Sequence, residues 1–231
     1  MNSDIRNIDP RHITVDKVDL NISLTRFTGT PGTRLTKRFL KDDKGRIVKE
    51  SQPQFFGGEA ETIKLKKLSD IEDVTNSLKS NQCISTGIFD VSKCPIVTKK
   101  DFSDEKYEAG TRTRSKEHMS QPDTGLVLFD YDPDPYMPEH LKCHSPEEVI
   151  AKISDAMPEL EGVGYFASGS SSNGIFDEKT EAPYQGGGGM HIYIAVKGVE
   201  LEKLQDLLKV RVFLHCMQLP RIIADLITMY L

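Results

Sequence analysis

The sequence predicts a mixed α/β (α+β) protein. A basic first half, residues 1–118, precedes an open sheet with helices on one face over residues 119–231, a length that suits one large domain or two small ones. Three observations carry this expectation. Residues 125–129, GLVLF, form the short apolar run of a buried strand. Residues 189–196 alternate, with Met190, Ile192, Ile194 and Val196 on one side and His191, Tyr193 and Ala195 on the other. Between and after these runs, apolar residues recur at helical spacing, giving the order strand, helix, strand, strand, helix.

In the first half, Gly29-Thr30-Pro31-Gly32 reads as a turn. Cationic runs follow from Arg34 to Arg38 and from Lys41 to Lys49, the second containing Gly45, and Phe55-Phe56-Gly57-Gly58 closes the stretch. After Ile63, Leu65 and Leu68, the spacing of Ile71, Val74 and Leu78 behind Ser69-Asp70 predicts a capped helix. Residues 100–124 are polar, carry Arg112, Arg114 and Lys116, and are expected to form a loop or a short helix.

The second half is more sharply patterned. Pro133 and Pro135 end the strand that begins at Gly125. Ser145-Pro146-Glu147-Glu148 opens a helix: Ser145 caps, Pro146 suits the first helical position, and Glu148 completes a capping box. Val149, Ile150, Ile153 and Met157 form its apolar face. Residues 162–168 are expected as a second strand, 189–196 as a third, and 200–208 as a helix with Leu201, Leu204 and Leu208 in line.

Composition narrows the function classes. With 231 residues, 37% hydrophobic and 28% charged, the chain is long enough to bury a core. No run of eighteen apolar residues is present, and the start, MNSDIRNIDPRH, lacks an apolar signal region, so a cytoplasmic protein without membrane spans is expected. Cys83, Cys94, Cys143 and Cys216 are scattered without a CxxC pair, which signals neither zinc nor a redox motif. The net charge of −5 divides unevenly: residues 1–118 carry 22 Lys+Arg against 18 Asp+Glu, whereas residues 119–231 carry 8 against 17. A basic half beside an acidic half suits a polyanion binder with a carboxylate site for cations, and Arg114 and the Arg34–Lys49 stretch are the candidate nucleic-acid contacts.

Asp130 and Asp132 stand where the first apolar strand ends, as D-Y-D. On extended backbone this spacing puts two carboxylates on one face. Magnesium or manganese, taking hard oxygen ligands and substrate phosphates, suits that pair. An acidic turn after a strand is the plainer alternative. His191 lies on the non-aliphatic side of its strand behind four glycines, Gly186 to Gly189, whose backbone can approach phosphates closely. A structural histidine is the alternative. Ser168-Gly-Ser-Ser-Ser172-Asn-Gly174 supplies hydroxyls for a nucleotide site, or is a surface loop.

Taken together, these residues resemble the archaeo-eukaryotic primase superfamily, especially the bifunctional DNA primase-polymerases of phages and plasmids. Its first motif is an apolar run followed by D-h-D, here Leu126-Val-Leu-Phe-Asp130-Tyr-Asp132. Its second is small-x-His, here Gly189-Met190-His191. Residues 114–125 look like the approach to the first motif, and residues 168–175 like the serine-rich loop before the second; the likeness runs from about Leu24 to about Arg211. The resemblance implies an N-terminal α/β unit packed on an RNA-recognition-like sheet, with the active site between them. It also implies magnesium- or manganese-dependent nucleotidyl transfer in DNA replication through Asp130, Asp132 and His191. Nucleoside triphosphates would bind at Ser170, Ser171, Ser172, Gly188, Gly189 and His191, a single-stranded DNA template would be read, and a replicative helicase is a further implied partner. The family's third carboxylate motif has one loose match, Ala224-Asp225, with a terminal apolar helix over residues 222–231 as the alternative. The sequence departs from the family after Arg211, as a truncated or altered chain would.

Two other classes compete. One is a nucleic-acid- and nucleotide-binding module with an incomplete site. The other is a different D-x-D enzyme. A dehalogenase-like phosphatase would need a downstream lysine and acidic pair that do not stand out, a sugar-nucleotide transferase leaves the Gly–His strand without a role, and a rolling-circle nicking enzyme would need a second histidine beside His191.

Overall fold

The computed structural model describes residues 21–50, 55–102, 110–133, 136–139, 142–170, 172–182, 184 and 188–197. The expected helix over 200–208, the expected terminal helix, Asp225 and Ser171 lie outside them. The described residues form a strand-rich α+β structure with several sheets. Among them, no helix is long and apolar enough to cross a membrane.

The first half is built on β1 (Ile22–Gly29), whose side chains are buried on both faces. It pairs antiparallel with β4 (Gly57–Leu65) and with β5 (Gln82–Ser85). Strand β7 (Lys93–Val97) pairs antiparallel with β4, and β8 (Arg112–Thr113) adds parallel to β7, giving a five-stranded sheet in the order β5-β1-β4-β7-β8. The cationic stretch forms an exposed hairpin, β2 (Arg38–Lys41) with β3 (Ile47–Glu50). Its turn is closed by the Asp42 carboxylate, which accepts from the amides of Lys44 and Arg46.

The short helix α1 (Asp70–Asn76) forms where the spacing predicts, but not with the expected cap. Ser69 makes no side-chain bond; the Asp70 carboxylate instead accepts from the amides of Lys66 and Lys67, fixing the turn that enters the helix. Within the polar 100–124 stretch, β8 and β9 (Met119–Ser120) are strands rather than a helix. Strand β9, just past residue 118, pairs back on β6 (Ile88–Phe89). This small sheet lies against one face of the five-stranded sheet, where Phe27, Ala60, Phe89, Cys94 and Ile96 are buried with Met119 and Phe55.

The second half forms a three-stranded antiparallel sheet: β10 (Thr124–Tyr131), β12 (Met190–Lys197) and β11 (Tyr165–Gly169), with β12 in the middle. Helix α2 (Pro146–Ala156) connects β10 to β11. Ser145 caps it as expected, accepting from the Glu148 amide at 3.2 Å. The return bond from Glu148 goes one residue further back, accepting from the His144 amide at 2.7 Å. Alternation then assigns the two faces of the sheet. Val127, Phe129, Tyr131, Met190, Ile192 and Ile194 pack on Val149, Ile153 and Met157 of α2. On the opposite face, Leu126, Phe166 and Tyr193 pack on Ile22, Leu24, Leu65 and Ile71 of the first half. The three-stranded sheet is therefore sandwiched between α2 and the five-stranded sheet.

Ile192 lies on the central strand, facing α2, and is fully buried. Ile192→Ala should lower unfolding stability by about 2–5 kcal/mol in urea titration, since it removes buried methylenes and leaves a cavity. An unchanged midpoint would mean that the α2 face is not the tight core described.

Candidate functional site

One end of the three-stranded sheet gathers the residues singled out in the sequence. Strand β10 runs two residues past the apolar run and ends on Tyr131, so Asp130 is a strand residue. Asp132 follows the strand and is exposed. Tyr131 faces α2 and anchors this end: its hydroxyl, buried, accepts from the Cys143 amide at 2.7 Å. Burial pushes the Tyr131 phenol up to about 12, so it stays neutral.

Asp130 lies directly opposite His191 in the β10–β12 register, and Ser168 of β11 lies opposite His191 on its other side. The imidazole Nε2 and Asp130 Oδ1 are 3.3 Å apart, and both side chains are about a quarter exposed (27% and 25%). By alternation, this pair shares its face with Leu126, Leu128 and Tyr193, which the five-stranded sheet covers. The pair is thus the polar continuation of an apolar interface. Tyr193, next on the same face, stands edge-on to the His191 ring with centroids 6.4 Å apart. Burial, reinforced by the Asp130 charge, raises its phenol to about 12.

The glycine and serine residues have tighter local reasons than the sequence suggested. Gly188 has φ +94, a conformation that favours glycine. A Cβ on Gly189 would come within 2.7 Å of Ser170 Oγ and 3.1 Å of the Tyr131 carbonyl oxygen. Gly189 therefore lets the start of β12 pass between the ends of β10 and β11. Ser170 and Ser172 are buried, and their hydroxyls are hydrogen-bonded to each other at 2.9 Å. The Ser170 amide donates to the Gly189 carbonyl at 2.8 Å. The two hydroxyls and the Ser170 amide are thus engaged at this end of the sheet.

The fit to a divalent cation rests on Asp130 and Asp132, a partly exposed and an exposed carboxylate beside one strand end, with the hard oxygens magnesium or manganese takes. Among the described residues, no group of three or more His, Cys, Asp or Glu side chains is placed to hold a metal ion. Arg114, the other singled-out cation, lies on the first half with its guanidinium 5.3 Å from the centroid of Phe27. In the β2–β3 hairpin, Arg34 and Arg38 both reach Glu50, and Arg46 reaches Asp42. The sequence did not single out Asp177, one of three acids within residues 177–181, and nothing in that stretch marked it. It is buried, and its carboxylate pairs with Lys41 of β2.

Compared with protein-family models, with curated proteins and with solved structures, the chain matches none.

Gly189→Ala should destabilise the chain by about 1–3 kcal/mol through overpacking against Ser170 and Tyr131. Thermal melting checks this. A variant as stable as the parent would show that the close approach at Gly189 is not a constraint.

Proposed function

We propose that the chain is a divalent-cation-dependent nucleotidyltransferase of the primase-polymerase type, with its site at the Asp130–His191 end of the three-stranded sheet. The observation that carries this reading is the cross-strand pair itself. An aspartate and a histidine, 3.3 Å apart and partly exposed, continue an otherwise apolar interface between two sheets. Support comes from the β10-α2-β11-β12 order with β12 central, the start of a split β-α-β arrangement, in keeping with the RNA-recognition-like sheet that the resemblance implies.

In the reaction proposed, the 3′-hydroxyl of a primer, or of a first nucleotide, attacks the α-phosphorus of a nucleoside triphosphate. The new O–P bond forms as the bond to the bridging oxygen breaks, and pyrophosphate leaves with the charge. Asp130 and Asp132 would hold the cation. A magnesium or manganese ion held there would neutralise charge on the phosphates and ease loss of the hydroxyl proton to solvent water. Asp130 Oδ1, 3.3 Å from His191 Nε2, would orient the ring, and the other nitrogen, Nδ1, would donate to a triphosphate oxygen in the imidazolium form. The Gly188 amide, just before β12, would supply a neutral donor to the same phosphates. The β2–β3 hairpin, with its clustered Lys and Arg, would meet the template backbone.

A second reading, nucleotide and nucleic-acid binding without turnover, is favoured by two placements. Asp132 stands exposed one residue beyond β10, and the Ser170 and Ser172 hydroxyls turn inward to each other.

Primer-extension and primer-synthesis assays on single-stranded DNA with magnesium or manganese separate the readings. Nucleotide incorporation is expected for the wild-type chain and should fall at least a hundredfold in Asp130→Ala/Asp132→Ala, with calorimetric cation binding lost and the melting temperature held. Nucleotide binding without incorporation in the wild type would favour the binding module. Incorporation that survives the double substitution would overturn the assignment of the carboxylates.

A further inference from the structure

The segment between β11 and β12 carries the serine and glycine residues of the proposed nucleotide site, and its two ends are fixed by the sheet. Ser168 is paired opposite His191, and the Ser170 amide donates to the Gly189 carbonyl. Its middle folds back on itself as a small turn. There the Tyr184 amide donates to the Ile175 carbonyl, the Asp177 amide to the Ala182 carbonyl, and the Glu181 amide to the Asp177 carbonyl.

This turn is gripped from outside by the β2–β3 hairpin. Asp177, 7% exposed, accepts from the amides of Lys179 at 2.8 Å and Thr180 at 3.1 Å, and its second oxygen is paired with the Lys41 ammonium. Lys41 and these two amides hold the Asp177 carboxyl at about 2, far below the ordinary carboxylate range. Phe39 lies two residues before Lys41, on the same face of β2, and meets Tyr184 edge-on with centroids 5.2 Å apart. One strand face thus holds the turn at two points, one ionic and one aromatic. The rest of that hairpin is highly charged: residues 34–50 carry seven Lys and Arg against three acids.

We propose that Phe39 and Lys41 on β2 and Asp177 and Tyr184 on the β11–β12 segment form a clasp that positions this segment for the triphosphate of the incoming nucleotide. Lys41 and Asp177 are positioning residues acting through the described residues 172–182. The inference rests on the reading of the site as a nucleotidyltransferase. The physical reason is pre-organisation. A segment beside a phosphate site raises affinity when it is ordered before the ligand arrives, and a segment anchored at its base alone loses that order at its far end. The clasp differs in sign from direct electrostatics. If Lys41 bound phosphate itself, neutralising Asp177 would release the ammonium and tighten nucleotide binding. If the clasp positions the segment, the same change weakens binding.

The test is calorimetric titration of the full chain with ATP and with dATP in magnesium, for wild type, Lys41→Met, Lys41→Arg, Asp177→Asn and the Lys41→Met/Asp177→Asn double variant. Asp177→Asn keeps an acceptor for the two amides, so the turn can still close, and Lys41→Arg preserves the ion pair. The clasp predicts a Kd at least about fivefold weaker in Lys41→Met and in Asp177→Asn. The double variant should be no weaker than the worse single one, and Lys41→Arg should stay close to wild type. Turnover should show KM raised with kcat held. Tighter binding in Asp177→Asn, or unchanged binding in Lys41→Met, overturns the clasp alone. A wild-type chain that binds neither nucleotide overturns the reading of the site, and this inference with it.

Discussion

The pairing of β12 with β10 is the constraint on which the rest of the molecule depends. Strand β12 is hydrogen-bonded on both edges and covered on both faces, by α2 on one side and by the five-stranded sheet on the other. Because side chains alternate with a period of two, a slip of one residue would send Asp130 or His191 into an apolar layer. Met190, Ile192 and Ile194 on one face and Tyr193 on the other make such a slip costly. The register that buries them also sets Asp130 opposite His191. The core and the candidate site are thus fixed by the same hydrogen-bond ladder.

That shared origin explains the form of the site. The packing of β1 and α1 against β10, β11 and β12 buries leucine, isoleucine and aromatic side chains, and the polar pair lies where this interface gives way to partly exposed positions. A cross-strand pair needs little loop ordering, because both partners sit on rigid strands. The segment after β11 lies off the strands and is held instead by the close approach at Gly189, the Ser170–Ser172 bond and the contacts from β2.

Much of this was legible in the sequence wherever local pattern and tertiary packing agree. The alternation of residues 190–196 assigned both faces of β12 correctly, and Ser145, Pro146 and Glu148 marked the start of α2 because a cap is a local hydrogen-bond problem. Local pattern failed where a distant partner decides. Residues 112–113 and 119–120 are polar and short, and they become strands only because β7 and β6 offer edges to them. Ser69 looked like a cap, but the Asp70 carboxylate satisfied upstream amides instead. The glycines before His191 carried no sign of the second demand on Gly189, the close approach of the Ser170 side chain and the Tyr131 carbonyl, which joins residues distant in sequence. Asp177 gave no periodic signal, since its partner Lys41 lies 136 positions away in the chain and the burial of its carboxylate depends on the fold.

Manganese titration followed by amide NMR tests the assignment of the site most directly, because the paramagnetic ion broadens only signals close to it. A cation site at the β10 end predicts that the amides of Asp130, Tyr131, Asp132, Ser168 and His191 broaden first, and that magnesium reverses the effect. Broadening that begins at surface acids such as Glu72, Asp73 or Glu117 while those amides stay sharp would contradict it.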